Sequence, residues 1–425
     1  MSAIKNPYDL IVVGAGLSGL YVAVEWLKKN PNKSCCLLEK YGYTGGRVVT
    51  YHTYVPGRGK LHWEGGAGRI ANHHHRVRRL ITRYGLTFAP LTGSWGFSYP
   101  TLPSPFTRLT DLYLPPLTQL SPRLLGQTTL STLLRKVYGP ARTKAYLATF
   151  PYYAEFHSLR ADLALASLQS ELHSPAGFGV CAEGLSAITD ALTREFLLRG
   201  GVLHRRCTVE RVCYTERPLC LTISERATKD ADPITRHEYS LRVVLALDAS
   251  SLHHIQGVSH LPVLRHLKMI PLLRIYAVFP VHQGKSWFSD ISTTVLDSPL
   301  RFFIPIQPDK GVVMISYTEG PDAEYWMKMP PEQRQREVLA EARRVFSPQT
   351  IPDPLFFHSH PWKTGCTYWQ PGTYDPVKES ERSIQPFPGH PLYLSSESFA
   401  VMQCWMESAL IQAEAVLDSL ALTGH

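Results

Sequence analysis

The sequence contains neither a membrane-spanning stretch nor a recognisable secretion signal. Its first eight residues are mostly polar and lead directly into a short apolar run, without the hydrophobic segment of a signal peptide. The most apolar long window, 261–281, is interrupted by Arg265, Lys268 and Arg274, so it falls short of the roughly 20 apolar residues that cross a bilayer. We therefore predict a cytoplasmic protein without a membrane span.

Paired metal-binding cysteines are also missing. The chain has 8 cysteines in 425 residues, and none are spaced as a Cys-x-x-Cys zinc pair. This usage favours free thiols in a reducing compartment over a disulfide scaffold. The run His73-His74-His75 does not predict a metal site, because three consecutive side chains point in different directions on a regular backbone. We interpret it as a solvated helix start.

A long basic arm is absent, although the formal net charge is +9. The basic residues are spread along the chain, with short clusters at 76–79 and 205–206. Positive charge permits an acidic partner such as nucleic acid, but this diffuse distribution does not predict a dedicated surface for one. The sequence carries no indication of the oligomeric state.

The composition, 44% hydrophobic and 19% charged, predicts a folded globular protein. Apolar runs at 9–13 and 34–38 flank a helical pattern at 20–29, which predicts a β-α-β unit. A mostly helical region with proline-rich interruptions follows at 76–174. Further helices are predicted at 185–198, 333–346 and 406–420, and strands at 202–214, 241–247, 274–280, 301–306, 312–317 and 392–395.

The β-α-β unit carries a dinucleotide-binding pattern. Gly14, Gly16 and Gly19 form G-x-G-x-x-G after the strand and at the start of the helix, where they permit a tight turn, a close phosphate approach and close helix–strand packing. The helix N-terminus offers free N–H groups to the phosphates. Glu39 ends the second strand, where it can accept hydrogen bonds from a ribose diol. The alternative is a purely structural glycine turn.

Gly45-Gly46-Arg47 follows Glu39 closely, and the guanidinium of Arg47 suits a phosphate. With this segment the chain resembles the flavin amine oxidase family, which includes monoamine, polyamine and L-amino-acid oxidases. Other matching segments follow in family order: 63–67, 182–185, Val209, 318–320 and 394–409. A surface arginine is the alternative interpretation of Arg47.

The resemblance implies an α/β fold with a Rossmann-like FAD-binding domain assembled from discontinuous segments. These are 1–75, 176–250 and 371–425, while 76–175 and 251–370 form an α+β substrate domain of mixed sheet plus helices. It implies FAD as the cofactor, bound non-covalently or through a thioether to Cys366. The implied cofactor-binding residues are Gly14, Gly16, Leu17, Ser18, Gly19, Glu39, Lys40, Gly46, Arg47, Gly66, Ala67, Gly68, Arg69, Val209, Trp362, Glu397, Trp405 and Met406.

The resemblance also implies the site of reaction. Trp405 falls where the family places one wall of an aromatic cage, and Tyr368 or Trp369 falls near the other wall. Arg274 stands where family oxidases usually carry a lysine that holds a water near the flavin. Because arginine stays charged and cannot cycle a proton, this difference puts the reaction with oxygen in doubt.

The implied activity is FAD-dependent oxidation of a small-molecule amine to an imine, with electrons passed to O2 and H2O2 as product. Two alternatives stay open. Arg69 resembles the arginine with which L-amino-acid oxidases clamp a substrate carboxylate, so the substrate could instead be an amino acid. The protein could also be a catalytically weak flavoprotein with a structural or binding role.

Overall fold

The fold is described from a computed structural model, which covers residues 6–91, 113–172 and 177–422. Parts of the predicted helical region at 76–174 lie outside these residues. The described helices are α1 (Leu17–Lys29), α2 (His75–Arg83), α3 (Leu114–Thr118), α4 (Pro122–Gly126), α5 (Leu130–Tyr138), α6 (Pro140–Ala148), α7 (Ala154–His157), α8 (Ala161–Leu172), α9 (Ser186–Leu198), α10 (Ala249–Leu252), α11 (Gly320–Met327), α12 (Pro331–Val345), α13 (Pro376–Ile384) and α14 (Met406–Leu422).

A five-stranded parallel sheet gathers strands from distant parts of the chain. Its strands are β1 (Leu10–Val13), β2 (Cys35–Glu39), β8 (Val202–Arg205), β12 (Val243–Leu245) and β18 (Leu392–Leu394), in the order β18-β12-β1-β2-β8. Strand β1 is buried along its whole length, as expected for a central parallel strand covered on both faces. Helices α1, α9 and α14 pack together beside it. This sheet confirms the predicted Rossmann-like arrangement.

The predicted strand at 202–214 is two strands in different sheets. Strand β8 ends at Arg205, and β9 (Cys207–Cys213) joins β10 (Leu219–Glu225) and β11 (Ile234–Ser240) in a separate antiparallel sheet. Arg206 between them has a φ of 57°, a left-handed conformation that breaks an extended strand. The prediction of one strand was wrong because alternation of side chains continues across this break.

A second five-stranded sheet forms the other half of the molecule. It consists of β13 (Leu267–Val278), β14 (Thr294–Val295), β15 (Phe302–Gln307), β16 (Val312–Glu319) and β17 (Phe356–Trp369), in the order β14-β15-β16-β13-β17. Every pairing of these strands is antiparallel, so the sheet is not mixed. Helices α11 and α12 cover it through Ala323, Trp326 and Val338.

Two smaller β units were not predicted. The hairpin β3 (Thr50–Val55) and β4 (Gly59–Glu64) packs Val55, Leu61 and Trp63 onto β13 and β16 of the second sheet. Strands β5 (Ile70–Ala71), β6 (Phe88–Pro90) and β7 (Phe178–Cys181) form a short antiparallel sheet. No helix in 6–91, 113–172 or 177–422 combines the length and the hydropathy needed to cross a membrane. The predicted domain boundaries stay a prediction.

Candidate functional site

One large cavity lies between the parallel sheet and the second sheet. Its volume is about 770 Å³, within the range of small-molecule and cofactor sites. It extends from the β1–α1 turn, past the glycines at 66 and 68, to strands β13, β16 and β17. Most of the residues predicted from the sequence to bind a cofactor line it: Gly14, Gly16, Leu17, Ser18, Glu39, Lys40, Gly46, Arg47, Gly66, Ala67, Gly68, Arg69, Val209, Trp362, Glu397, Trp405 and Met406.

The three glycines of the β1–α1 turn have separate roles. Gly14 has a φ of +102°, and a Cβ there would lie 2.5 Å from the carbonyl oxygen of Ala246. A Cβ on Gly19 would lie 2.0 Å from the oxygen of Gly14, so this glycine permits helix–strand contact and does not line the cavity. A Cβ on Gly16 would meet no atom within 4 Å, which leaves open space at the start of α1.

Glu39 is held at the edge of this turn by backbone donors. Its Oε2 accepts a hydrogen bond from the N–H of Ala15 at 2.7 Å, and its Oε1 accepts one from Tyr41 at 2.8 Å. Burial raises the pKa of Glu39, and these backbone hydrogen bonds oppose that rise. Each carboxylate oxygen retains acceptor capacity toward the cavity, since an oxygen can accept more than one hydrogen bond.

Arg47 and Glu397, both expected from the family resemblance to bind the cofactor, form an ion pair with each other. Arg47 Nη1 lies 2.7 Å from Glu397 Oε1 and 2.9 Å from the carbonyl oxygen of Gly365. Glu397 Oε2 also accepts a hydrogen bond from the N–H of Cys404 at 2.9 Å. The pair therefore joins the glycine segment after β2 to β17 and to the loop before α14.

The floor of the cavity is built by close backbone contacts. A Cβ on Gly66 would lie 2.0 Å from the oxygen of Arg47, so only glycine fits there. Trp362 donates a hydrogen bond from Nε1 to the oxygen of Gly65 at 2.7 Å, which fixes its ring beside the glycines. Glu407 in the first turn of α14 accepts hydrogen bonds from the N–H groups of Arg76 and Val77, both at 3.0 Å to Oε2. This contact fixes the N-terminus of α14 at the cavity.

At the opposite end, aromatic side chains form a chamber. Tyr152, Tyr317, Tyr368 and Trp405 all line it. Trp369 does not, because successive residues of β17 face opposite sides and its ring lies in the core, where Nε1 donates to the oxygen of Ala400 at 2.9 Å. The sequence left Tyr368 and Trp369 as equal choices for the wall, and Trp369 is excluded by this position. The alternation of side chains along a strand could have decided between them, since Tyr368 is an even number of residues from Trp362 and Cys366, whereas Trp369 is not.

Tyr152 lies in the loop before α7, and Tyr317 lies in β16; neither residue was predicted from the sequence. Tyr317 donates its hydroxyl hydrogen to Glu319 Oε1 at 2.7 Å. Glu319 Oε2 in turn accepts hydrogen bonds from the N–H groups of Tyr153 and Ala154. These bonds connect β16 to the start of α7, which carries Glu155 into the cavity wall.

Trp405 is enclosed by a cluster that includes a histidine. Phe178 stacks near it with ring centroids 6.2 Å apart, and Arg69 lies 4.2 Å from the Phe178 ring and 5.5 Å from the Trp405 ring. His74 meets the Trp405 ring edge-on at 4.9 Å and is only 4% exposed. The prediction of a solvated helix start is therefore wrong for His74, although His73 and His75 are exposed.

The buried His74 is kept neutral by its surroundings. Its Nδ1 accepts a hydrogen bond from the N–H of Ala71 at 3.2 Å. Burial, aided by the charge of Arg69 and by the neighbouring histidines, lowers the pKa of His74 to about 3. No signal within the three-histidine run distinguishes the buried member, because tertiary packing selects it.

Arg274 lies on β13 at the cavity wall. Its Nη1 donates to the oxygen of Glu64 at 3.3 Å, and its guanidinium lies 5.5 Å from the ring of Tyr317. A Cβ on Gly68 would come within 2.7 Å of Nη1, so the missing side chain of Gly68 makes room for Arg274. Burial raises the pKa of the nearby Glu64 carboxyl to about 7, against hydrogen bonds from Leu185 and Thr50 and the charge of Arg274.

Comparison with known proteins agrees with this geometry. Residues 114–417 match the family described as flavin containing amine oxidoreductase, and residues 12–84 match the NAD(P)-binding Rossmann-like domain. The first match covers more than half of the chain. The chain belongs to the flavin containing amine oxidoreductase family.

Individual relatives resemble this family member over different extents. The L-amino-acid oxidases of Bothrops pauloensis and Naja atra are 35% and 36% identical over 88 and 84 residues, which is 20% and 19% of this chain. The matched segments span only 16% and 15% of those relatives' own length. A triple mutant of putrescine oxidase with redesigned cofactor binding has the same fold, with a TM-score of 0.74, 18% identity and coverage of 98% of this chain and 99% of that chain. Cyclohexylamine oxidase from Brevibacterium oxydans IH-35A also has the same fold, with a TM-score of 0.69, 16% identity and coverage of 98% of this chain and 100% of that chain.

The residues of this family member fit an FAD. The open space beside Gly16 lies at the N-terminus of a 13-residue helix, and no described side chain caps that terminus. Such a terminus is a general site for phosphate groups. Glu39 faces the same space, as a ribose requires, and the cavity continues past the glycines at 66 and 68 toward the aromatic chamber. Cys366 lines the cavity with a free thiol.

Proposed function

We propose that this protein binds FAD along the cavity and oxidises a small amine to an imine in the aromatic chamber. One observation carries the proposal: a single cavity joins the dinucleotide-type turn at Gly16 and Glu39 to the chamber formed by Tyr317, Tyr368 and Trp405. Family membership supports the same assignment. When bound, a flavin supplies the two-electron acceptor that the amine carbon needs.

The chain's own groups account for cofactor binding at one end of the cavity. The N-terminus of α1 presents its free N–H groups and partial positive charge to a diphosphate. Glu39 accepts hydrogen bonds from a ribose, and its backbone donors hold both carboxylate oxygens in place. Lys40 and Val209 line the same end and complete the nucleotide pocket.

The chamber residues account for substrate binding. The rings of Trp405, Tyr317 and Tyr368 exclude water and provide an apolar surface, where a neutral amine costs less to desolvate than its cation. Burial raises the pKa of Tyr368 and Tyr317 well above the ordinary value, so both hydroxyls keep their protons, which they donate to Glu155 and Glu319. Their oxygens can still accept a hydrogen bond from an N–H of the amine and orient it.

Arg274 affects which electron acceptor the reduced protein can use. Its permanently charged guanidinium takes the place of a group that could release and regain a proton. We propose that reaction with O2 is slow, so that an organic electron acceptor outperforms oxygen. The Arg274→Lys variant should raise the oxygen-dependent rate and leave the rate with a dye acceptor within about twofold. Equal acceleration with both acceptors would contradict this role.

We propose non-covalent attachment of the cofactor. Acid precipitation of the loaded protein should release all the flavin into the supernatant. Flavin that stays with the peptide containing Cys366 would instead support the thioether alternative, since that thiol lies on the cavity wall.

An amino acid substrate is the second candidate, and the position of Arg69 favours it. The guanidinium lies at the cavity beside Trp405, where it could clamp a carboxylate. It also contacts Phe178 and Tyr152 Oη, at 3.3 Å for the latter, so it could equally serve to hold the chamber wall.

Anaerobic mixing of the flavin-loaded protein with a panel of amines and L-amino acids separates these possibilities. Loss of the visible flavin absorbance with amines supports the first candidate. Loss of this absorbance with L-amino acids, but not with their decarboxylated amines, supports the amino acid substrate. The Arg69→Lys variant should then lose absorbance more slowly with L-amino acids, because lysine cannot form the bidentate contact with a carboxylate. If the protein binds flavin but no compound in the panel reduces the flavin absorbance, the result would support a structural or binding role.

A further inference from the structure

Two cysteines from different segments meet on the cavity wall and have no part in the function proposed above. Cys366 belongs to β17, and Cys404 lies in the loop just before α14. Both thiols are free, both are partly exposed and both line the cavity. Cys404 Sγ donates a hydrogen bond at 3.4 Å to the carbonyl oxygen of Thr367, the residue that follows Cys366. The two cysteines are therefore neighbours on the cavity wall.

The backbone of Cys404 gives a reason to look for a role of its thiol. Its φ is 72°, in the left-handed region that glycine adopts without strain and a residue with a Cβ does not. Glycine would form the same hydrogen bond from its N–H to Glu397 Oε2, which is 2.9 Å here. Cysteine thus carries a conformational cost at this position, and what it provides beyond glycine is a thiol beside Cys366.

The surroundings of the two thiols differ in a way that suits thiol chemistry. On the Cys366 side, the guanidinium of Arg47 donates to the carbonyl oxygen of Gly365, the residue before Cys366, at 2.9 Å. Burial, followed by the contact with Cys366, raises the pKa of the Cys404 thiol well above its ordinary value. Cys404 is therefore kept protonated, which leaves Cys366 as the attacking thiol.

We propose that Cys366 and Cys404 form a reversible disulfide when a hydroperoxide enters the cavity. The thiolate of Cys366 attacks one peroxide oxygen; the O–O bond breaks, Cys366 becomes a sulfenic acid, and the leaving oxygen takes a proton from solvent and departs as water or an alcohol. The sulfur of Cys404 then attacks that of Cys366; the S–S bond forms, the S–O bond breaks, and the hydroxyl leaves as water with the proton of Cys404. Two electrons pass from the thiols to the peroxide, so the proposal does not depend on amine oxidation.

Peptide mapping tests this directly on the full chain loaded with flavin. The protein is treated with about one equivalent of hydrogen peroxide, its free thiols are alkylated, and it is cut with trypsin without reduction. Cys366 falls in peptide 364–378 and Cys404 in peptide 383–425. We expect the two peptides joined, two hydrogens lighter than their sum, at least tenfold more abundant than in untreated protein and absent after dithiothreitol.

Variants separate this chemistry from general oxidation. Cys404→Gly suits the left-handed backbone and should fold, so Cys366 should then persist as a sulfenic acid that dimedone traps. Cys213 and Cys220 supply an internal comparison, because they face each other across β9 and β10 outside the cavity and share the peptide 212–226. The proposal is overturned if that peptide is oxidised while 364–378 and 383–425 stay separate. It is also overturned if Cys366 carries only sulfinic acid or a flavin adduct.

Discussion

The two ends of the cavity are held together in different ways. At the nucleotide end, Glu39 takes its hydrogen bonds from the backbone of Ala15 and Tyr41, and the turn around it depends on glycines. At the chamber end, Arg274, Arg69 and His74 are fixed by side chains and carbonyl groups from other elements. The first end is thus determined by local backbone geometry and the second by tertiary packing.

This difference explains which functional residues a sequence can indicate. A glycine pattern between a strand and a helix has its consequences within a few residues, so its meaning survives without knowledge of the rest of the fold. The chamber residues have no such local pattern. We therefore expect variants at the nucleotide end to act through backbone contacts, and variants at the chamber end to act through side-chain contacts.

The largest effect is expected at Gly19. In Gly19→Ala the new Cβ would lie 2.0 Å from the oxygen of Gly14 and 2.9 Å from the Cβ of Ala246, so α1 must move away from β1. We expect flavin-free protein to lose about 3 kcal/mol of unfolding free energy, at the upper end for overpacking. Urea denaturation measures the loss.

Gly16→Ala is the matched control for Gly19→Ala. Its Cβ meets no atom within 4 Å and its φ of −75° suits alanine, so stability of the flavin-free protein should not fall. The methyl group would instead occupy space proposed for the diphosphate, and flavin affinity should fall at least about tenfold, or 1.4 kcal/mol. Equal stability losses in the two variants would refute the separate roles of these glycines.

The next effect concerns the ion pair that joins the two ends. Arg47→Ala leaves the Glu397 carboxylate, whose side chain is 9% exposed, without its cation. Removing one partner of a buried pair costs about 3–5 kcal/mol, and the 28% exposure of Arg47 reduces the expected loss to roughly 2–3 kcal/mol. Denaturation of flavin-free protein measures it. Adding Glu397→Gln should restore part of the stability, and no recovery in the double variant would show that charge is not the cause.

The strand–glycine–helix pattern and apolar periodicity are local, so they predicted the strands and helices of the parallel sheet and the turn at Gly14 and Gly16. Most other cavity-lining residues, such as Glu397 and Trp405, were predicted only through the family resemblance. The sequence did not anticipate that Arg47 contacts Glu397, since nothing in either segment specifies the other. The break at Arg206 was missed because an alternating pattern runs through a residue whose left-handed φ is imposed by the sheets on either side. His74 was missed because its two histidine neighbours are chemically identical to it.

A smaller effect is expected from pH at Glu64. Its folded pKa of about 7 lies above the ordinary value of 4.5, so the folded state binds the proton more tightly than the unfolded state. Its contribution to stability is complete below about pH 4.5 and is lost as the pH rises through about 7, with roughly 2 kcal/mol lost between pH 5 and 7.5. Denaturation midpoints at pH 5 and 7.5 should therefore differ less in Glu64→Gln. An unchanged difference would show that Glu64 is not the group that titrates.

The smallest effect, and the one that tests the chamber most finely, concerns His74. His74→Phe keeps a ring beside Trp405 but removes the acceptor for the N–H of Ala71, so stability near pH 7 should fall by about 1 kcal/mol. The pKa of His74, about 3 when folded, lies below its ordinary 6.5, so the parent protein loses stability as the pH falls below 6.5 and the variant does not incur this loss. The two stability curves should cross at about pH 6. His73→Phe alters an exposed neighbour and should give a curve parallel to that of the parent protein. Parallel curves for His74→Phe as well would mean that the buried histidine is not held neutral against Trp405.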